Sequence, residues 1–185
     1  MNIDISLLWE KIKDVDYIVL RNYMGLQAEV DEGGDIDLLC ASQKMIFEKL
    51  SLEPRFQSDN LNNCKANIGV VEIPIDVRYV GDNYYDEKWE RDMLNRKKRY
   101  GEYYVIGDQD EKYSLLYHVL LHKPSISDKY KTFFDNNFNG MGTDELINEL
   151  AVYMKKNSYC PVIPDDKGVC FNQDNYRALI QRMGQ

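Results

Sequence analysis

The stretch Gly33-Gly34-Asp35-Ile36-Asp37-Leu38-Leu39 constrains the fold of this chain more than any other. Two glycines turn the chain and release a run in which acid alternates with aliphatic residue. A period of two is the signature of a strand, whose successive side chains point to opposite faces. Ile36 and Leu38 therefore face a core, while Asp35 and Asp37 share the other face, about 7 Å apart along it. A strand with one apolar face must be covered. The chain supplies a second apolar run, Tyr17-Ile18-Val19-Leu20, whose β-favouring residues predict a buried strand. A longer β-like tract covers 66–71 and 73–80, as one bent strand or two. Pro74 within it points to an edge or a bulge. Ile73, Ile75 and Val77 share one face of this tract, and Asp76 and Arg78 the other.

Helical spacing fills the gaps between these strands. Residues 4–13 place Ile5, Leu8, Trp9 and Ile12 on one side, and residues 43–52 place Ile46, Phe47 and Leu50 inward behind a Ser42 cap. A polar loop is expected over 23–34, and a short strand with a turn over 54–63. Residues 86–100 read as a helix with Trp89 and Met93 inward, ending in the basic run Arg96-Lys97-Lys98-Arg99, which suits the negative end of a helix dipole. A further strand over 103–106 is expected at an edge. From 108 onward the pattern is helical: 110–122, with Leu115, Leu116, Val119 and Leu120 inward, then 128–134, 143–155 and 174–183. The expected class is α+β. A small mixed β-sheet with helices occupies 1–107, and a helical region, 108–185, packs on it without a flexible linker.

Composition narrows the classes of function. Hydrophobic residues are 44% of 185, enough for a core and too many for global disorder. A net charge of −8 gives little basis for phosphate-backbone contacts, so no nucleic-acid partner is expected. The four cysteines, Cys40, Cys64, Cys160 and Cys170, form no CxxC pair and read as free thiols rather than a zinc site. The acidic N-terminus lacks a basic-then-apolar leader, and no apolar run reaches membrane-spanning length. The expected location is the cytoplasm.

The acids carry the chemistry. If the strands holding them are neighbours, Asp35, Asp37 and Asp76 converge on one side of a sheet. Such a cluster repels itself when empty. It is relieved by one or two Mg²⁺ ions, or Mn²⁺, that also hold phosphate oxygens. Asp76 is then the base or metal ligand nearest an attacking hydroxyl. His118 and His122 lie one turn apart on the strongest helix. The intervening Val119-Leu120-Leu121 lacks the glutamate of a metalloprotease helix, which leaves substrate contact or a polar place at the edge of the core. Lys123, at the same helix end, could reach a phosphate or complement the dipole.

This pattern resembles the nucleotidyltransferase superfamily of the DNA polymerase β type. The matching pieces are Leu20-Arg21-Asn22, the spacer 23–34, Asp35-Ile36-Asp37-Leu38 and Ile75-Asp76-Val77. The resemblance implies that Asp35 and Asp37 hold metal and that Asp76 helps activate an acceptor. Where the family carries Gly-Ser after its first strand, this chain carries Arg21-Asn22, and an arginine there can clamp a phosphate bidentately. Asn22, Gly34, Arg78, His118, His122 and Lys123 join Arg21 as expected substrate-binding residues. The sequence is similar to uncharacterised nucleotidyltransferase-like proteins of bacterial surface-polysaccharide loci. That implies a phosphorylated nucleotide or sugar donor and a hydroxyl acceptor, with a glycan among the candidates. The expected activity is Mg²⁺-dependent transfer of a nucleotidyl or phosphoryl-alcohol group to that hydroxyl. Two rivals share the same acids: an antitoxin-type enzyme that nucleotidylates a partner protein, and a degenerate module that only binds a nucleotide or sugar phosphate.

Overall fold

The computed structural model describes residues 4–55, 62–125 and 128–184. It is α+β, with a mixed sheet and helices in the N-terminal part and a helical C-terminal half. The chain divides into two compact units. One comprises Met1–Asp82 with Trp89–Gly107, and the other Asn83–Lys88 with Asp108–Gln185.

In the first unit the order is α1 (Ser6–Ile12), β1 (Tyr17–Val19), a 3₁₀ turn (Tyr23–Gly25), α2 (Leu26–Asp31), β2 (Ile36–Cys40), α3 (Gln43–Leu50), β3 (Glu53–Pro54), β4 (Asn63–Ile68) and β5 (Val71–Tyr79). Then α4 (Glu87–Asn95), whose first residues group with the other unit, leads to β6 (Lys98–Tyr100) and β7 (Tyr103–Val105). Among the described residues the sheet has seven strands in the order β3-β4-β5-β2-β1-β7-β6. The central strand β2 runs antiparallel to β1, with Ile18 opposite Leu39, and parallel to β5, with Asp37 opposite Asp76. Strand β5 also pairs antiparallel with β4, and β1 pairs parallel with β7.

One face of this sheet is apolar for the reason the alternation gives. Ile36 and Leu38 of β2 and Ile73, Ile75 and Val77 of β5 are buried. Leu8, Trp9 and Ile12 of α1 and Ile46 and Leu50 of α3 are buried as well, and α3 packs on both α1 and β5. Each such side chain contributes roughly 1.5–3 kcal/mol. Trp9 stacks on Tyr103 at 4.6 Å between ring centroids and on Tyr17 at 5.9 Å, which ties α1 to both β1 and β7. Ser42 caps α3 by accepting from the Met45 N–H, as the sequence predicts.

Four expectations need correction. Residues 23–34 are not an irregular loop: the 3₁₀ turn and α2 occupy most of them, because Tyr23, Leu26 and Val30 recur at helical spacing and are all buried. The basic run does not end α4. Lys98, Arg99 and Tyr100 form β6, which folds back on β7 through Gly101-Glu102, with Gly101 at φ +58°. β7 is therefore an interior strand, and β6 is the edge. Pro74 lies in an interior strand too, opposite Lys65 of β4. The pairing of β5 with β2 begins only at Ile75, so the missing proline N–H falls where β5 is flanked by β4 and not by β2. Part of the strand and turn expected over 54–63 lies outside the described residues.

In the second unit, α5 (Asp108–His122), α6 (Asp128–Phe138), α7 (Thr143–Asn157) and α8 (Gln173–Met183) form the helical half. Helix α5 is its axis. Every residue from Ser114 to His122 is buried, as befits a helix covered on all sides, and α7 and α8 both pack on it. Its C-terminal carbonyls find partners in the α8 approach: Asn172 N–H donates to Leu121 O and Asn175 Nδ2 to Leu120 O, each at 2.8 Å. Tyr113 and Tyr153 stack at 3.7 Å, and Tyr153 donates its hydroxyl to Asp110. Glu145 accepts from the Gly142 N–H at the start of α7, one half of a capping box whose other half a glycine cannot supply. Among the described residues, no helix is long and apolar enough to cross a membrane.

Candidate active site

The acids occupy the polar face of the parallel pair β2–β5. In a parallel ladder, residues opposite one another point the same way. Since Asp37 is the register partner of Asp76, the two carboxylates project side by side, about 4.8 Å apart at the backbone. Asp35 stands one position before β2, and the alternation gives it the face of Asp37. The turn that delivers these acids is built by glycine. Gly33 caps α2 with φ +83°, and the Gly34 N–H donates to Glu29 O at 2.8 Å. A Cβ on Gly34 would stand 2.9 Å from that carbonyl oxygen and 2.6 Å from Glu29 Cγ, so Gly34 is required for close packing against α2.

Two buried arginines share this face. Arg21 lies two residues beyond the end of β1, and its Nη2 donates to Asp37 Oδ1 at 2.5 Å. Asn22 turns the backbone next to it in the left-handed region, φ +57°, which asparagine tolerates better than most residues. Arg78, two residues beyond Asp76, places Nη2 at 3.8 Å from Asp76 Oδ2 and Nη1 at 3.8 Å from Asp82 Oδ2. With its amide oxygen turned toward Arg78, Asn62 accepts from Nη1 at 3.1 Å and donates to Val77 O at 3.1 Å. Asp82 and Asn62 are site residues that sequence reasoning missed. The signal for Asp82 was its spacing from Arg78 across the strand end; nothing in the sequence marks Asn62.

Electrostatics set the character of the site. Among Arg21, Arg78, Asp35, Asp37, Asp76 and Asp82, four carboxylates face two guanidiniums, a formal excess of two negative charges. Burial pushes the Asp76 carboxyl up to about 6. Arg78 pulls it back down, Asp37 pushes it up, and Arg21 and Asp35 act the same two ways more weakly. Asp76 Oδ1 is buried without a hydrogen-bond partner among the described residues. An orphaned carboxylate oxygen beside a second carboxylate is a donor set that suits a hard cation. The expected three-ligand cage of Asp35, Asp37 and Asp76 is not preassembled: among the described residues no three His, Cys, Asp or Glu side chains are grouped to hold a metal. Arg21 is the physical reason at Asp37, since it already neutralises one of the three. Two carboxylates still fit Mg²⁺, which keeps several waters and usually takes one or two carboxylates with substrate phosphates.

His118, His122 and Lys123 belong to the second unit, not to the unit that holds the acids. Both histidines are buried. His118 Nδ1 pairs with the Tyr84 hydroxyl at 2.5 Å, and the Tyr84 ring lies 4.3 Å from that of His122. Lys123 is exposed just past the end of α5. The structure thus brings together Arg21, Asn22, Gly34, Asp35, Asp37, Asp76 and Arg78 in one unit, and gathers the two histidines around a tyrosine in the other.

The fold and site together define an α+β protein with a paired-carboxylate, paired-guanidinium centre on a parallel strand pair. Comparison with protein-family models, with curated proteins and with solved structures finds no match.

Proposed function

We propose that the chain is a Mg²⁺-dependent transferase that moves a nucleotidyl or phosphoryl-alcohol group from a phosphorylated donor to a hydroxyl. The observation that carries this reading is the register of Asp37 with Asp76 on adjacent parallel strands, with one Asp76 oxygen buried and, among the described residues, unsatisfied. Asp37 and Asp76 would hold the cation, with Asp35 at its margin. When bound, Mg²⁺ would supply charge neutralisation at the transferring phosphorus. Arg21 and Arg78 bring planar donors that match phosphate oxygens, and Asn22 and Gly34 shape the backbone on either side of the acids. Asp76 would serve as a cation ligand that also orients the acceptor hydroxyl; burial pushes its carboxyl up to about 6 in the cation-free protein, and a bound cation would pull it back down. Positioning and fixed charge supply the rest of the rate. The resemblance to nucleotidyltransferases of surface-polysaccharide loci favours a sugar-containing acceptor and a cytoplasmic setting.

The Arg21–Asp37 ion pair favours one second reading, a non-catalytic module that binds a nucleotide or sugar phosphate without turnover. One experiment separates the two. The protein is incubated with Mg²⁺, nucleoside triphosphates or sugar nucleotides, and simple sugar acceptors, and release of pyrophosphate or nucleotide is followed. Turnover that needs Mg²⁺ and falls at least about 100-fold in a folded Asp37→Ala variant supports the transferase. Full activity in that variant rules it out, and binding that raises the melting point without product supports the module.

A further inference from the structure

We propose that Arg21 is a displaceable internal counter-cation, which links divalent-cation binding to phosphate binding at this site. The inference rests on the reading of Asp37 as a cation ligand. In the cation-free protein Arg21 neutralises Asp37. When a divalent cation occupies the carboxylates, the guanidinium swings off Asp37 and clamps the phosphate of the incoming ligand.

Three observations carry this. First, Arg21 Nη2 already holds Asp37 Oδ1 at 2.5 Å. A divalent cation arriving at the same carboxylate would stand beside that guanidinium, and the two like charges would repel. Second, the pair is secluded, with side chains only 9% and 14% exposed, so water screens that repulsion weakly. Third, Arg21 lies two residues beyond β1, next to Leu20, whose N–H still donates to Asp37 O at 2.9 Å. The chain is held to β2 as far as Leu20, so the proposed movement is one of the Arg21 side chain. A guanidinium that loses a carboxylate is matched by another anion with two oxygens spaced to its fork, and phosphate presents such a pair. Each ligand therefore prepares the site for the other, and linkage makes the effect equal in both directions.

The test uses Mn²⁺ as the cation and inorganic phosphate as the anion. Free Mn²⁺ is read by its electron paramagnetic resonance signal, against a protein-free blank that corrects for Mn²⁺–phosphate association. Wild-type protein is expected to bind Mn²⁺ at least about 5-fold tighter at saturating phosphate, the low end of ordinary coupling. Arg21→Met, similar in length and uncharged, is expected to bind Mn²⁺ about 10-fold tighter than wild type without phosphate, and to gain nothing from phosphate. A wild type indifferent to phosphate, or a folded Arg21→Met that binds Mn²⁺ no tighter than wild type, overturns the inference and leaves the cation site intact. If Arg21→Met does not fold, the wild-type phosphate response alone decides. If wild type binds no Mn²⁺, or Asp37→Asn binds it as well as wild type does, the cation reading itself fails and takes the inference with it.

Discussion

Replacing Asp76 with Asn should stabilise this protein at high pH and leave it unchanged at low pH. The carboxyl titrates at 3.8 in an unfolded chain and at about 6 in the fold. Between those values the native state keeps a proton that the unfolded state has released. Stability then falls as pH rises, by about 1.4 kcal/mol for each pH unit. The penalty is absent below about pH 4 and complete above about pH 7, where it reaches roughly 3 kcal/mol. Only 22% of the side chain is exposed, so solvent screening removes little of it. Asparagine has the shape of the protonated acid and never acquires the charge. For a chain of this length, that difference corresponds to a melting point about 6–12 °C higher for Asp76→Asn at pH 8. Comparing variant with wild type at each pH cancels every other titrating group. Thermal melts followed by circular dichroism at pH 4 and pH 8, without divalent cations, measure it. A variant that melts no higher than wild type at pH 8, or that shows the same shift at both pH values, refutes the argument that Asp76 is held charged at a cost. The same substitution should weaken Mg²⁺ stabilisation at pH 8, the pattern expected when a strained group is kept for function.

Gly34→Ala should destabilise the fold by roughly 1–3 kcal/mol in urea unfolding, because its Cβ would meet the Glu29 backbone oxygen at 2.9 Å and backbone yields little. Gly25→Ala, which meets nothing within 4 Å, should stay within about 0.5 kcal/mol and serves as the control. Thiol titration of the native protein should show Cys160 and Cys170 reacting quickly. Cys40 and Cys64, buried, with burial pushing their thiols up to about 12 and about 11, should react only on unfolding. Fast reaction of all four in the native state would contradict the burial of β2 and β4.

The elements that sequence reasoning reached are those whose local signal and tertiary role agree. The start of β2 alternates, with Ile36 and Leu38 buried and Asp37 between them half-buried; the strand is buried on both faces from Leu38 on. Ser42 sits before an apolar helical pattern and caps it. The elements it misread are short. Helix α2 has six residues, too few for a periodic pattern to stand out against its polar neighbours. Its Leu26-Gln27-Ala28-Glu29 run favours helix, but six residues are too few to hold one alone, and burial of Leu26 and Val30 supplies the rest. The basic run was read as a helix end because four cations suit one. The Gly101-Glu102 turn between two tyrosine-rich runs was the stronger signal: it lets Lys98–Tyr100 pair with Tyr103–Val105.

The candidate site was legible to a different depth. Spacing tells which residues share a strand face, so Asp35, Asp37 and Asp76 were visible. It does not tell which charges neutralise them. Arg21 lies 16 residues before Asp37 in the chain and reaches it only because β1 and β2 pair antiparallel, which sets the end of one strand beside the middle of the other. Asp82 enters through Arg78, and Asn62 through a strand whose pairing no local pattern specifies. The result differs in kind from a bare acidic cluster. A bare trio would be held apart by its own repulsion until metal arrived. Here two guanidiniums stand among four carboxylates, a formal excess of two negative charges over these six residues. On the proposed reading, a divalent cation would complete that balance by loosening Arg21 from Asp37, and the guanidinium that neutralises Asp37 in the cation-free protein would then meet the ligand's phosphate.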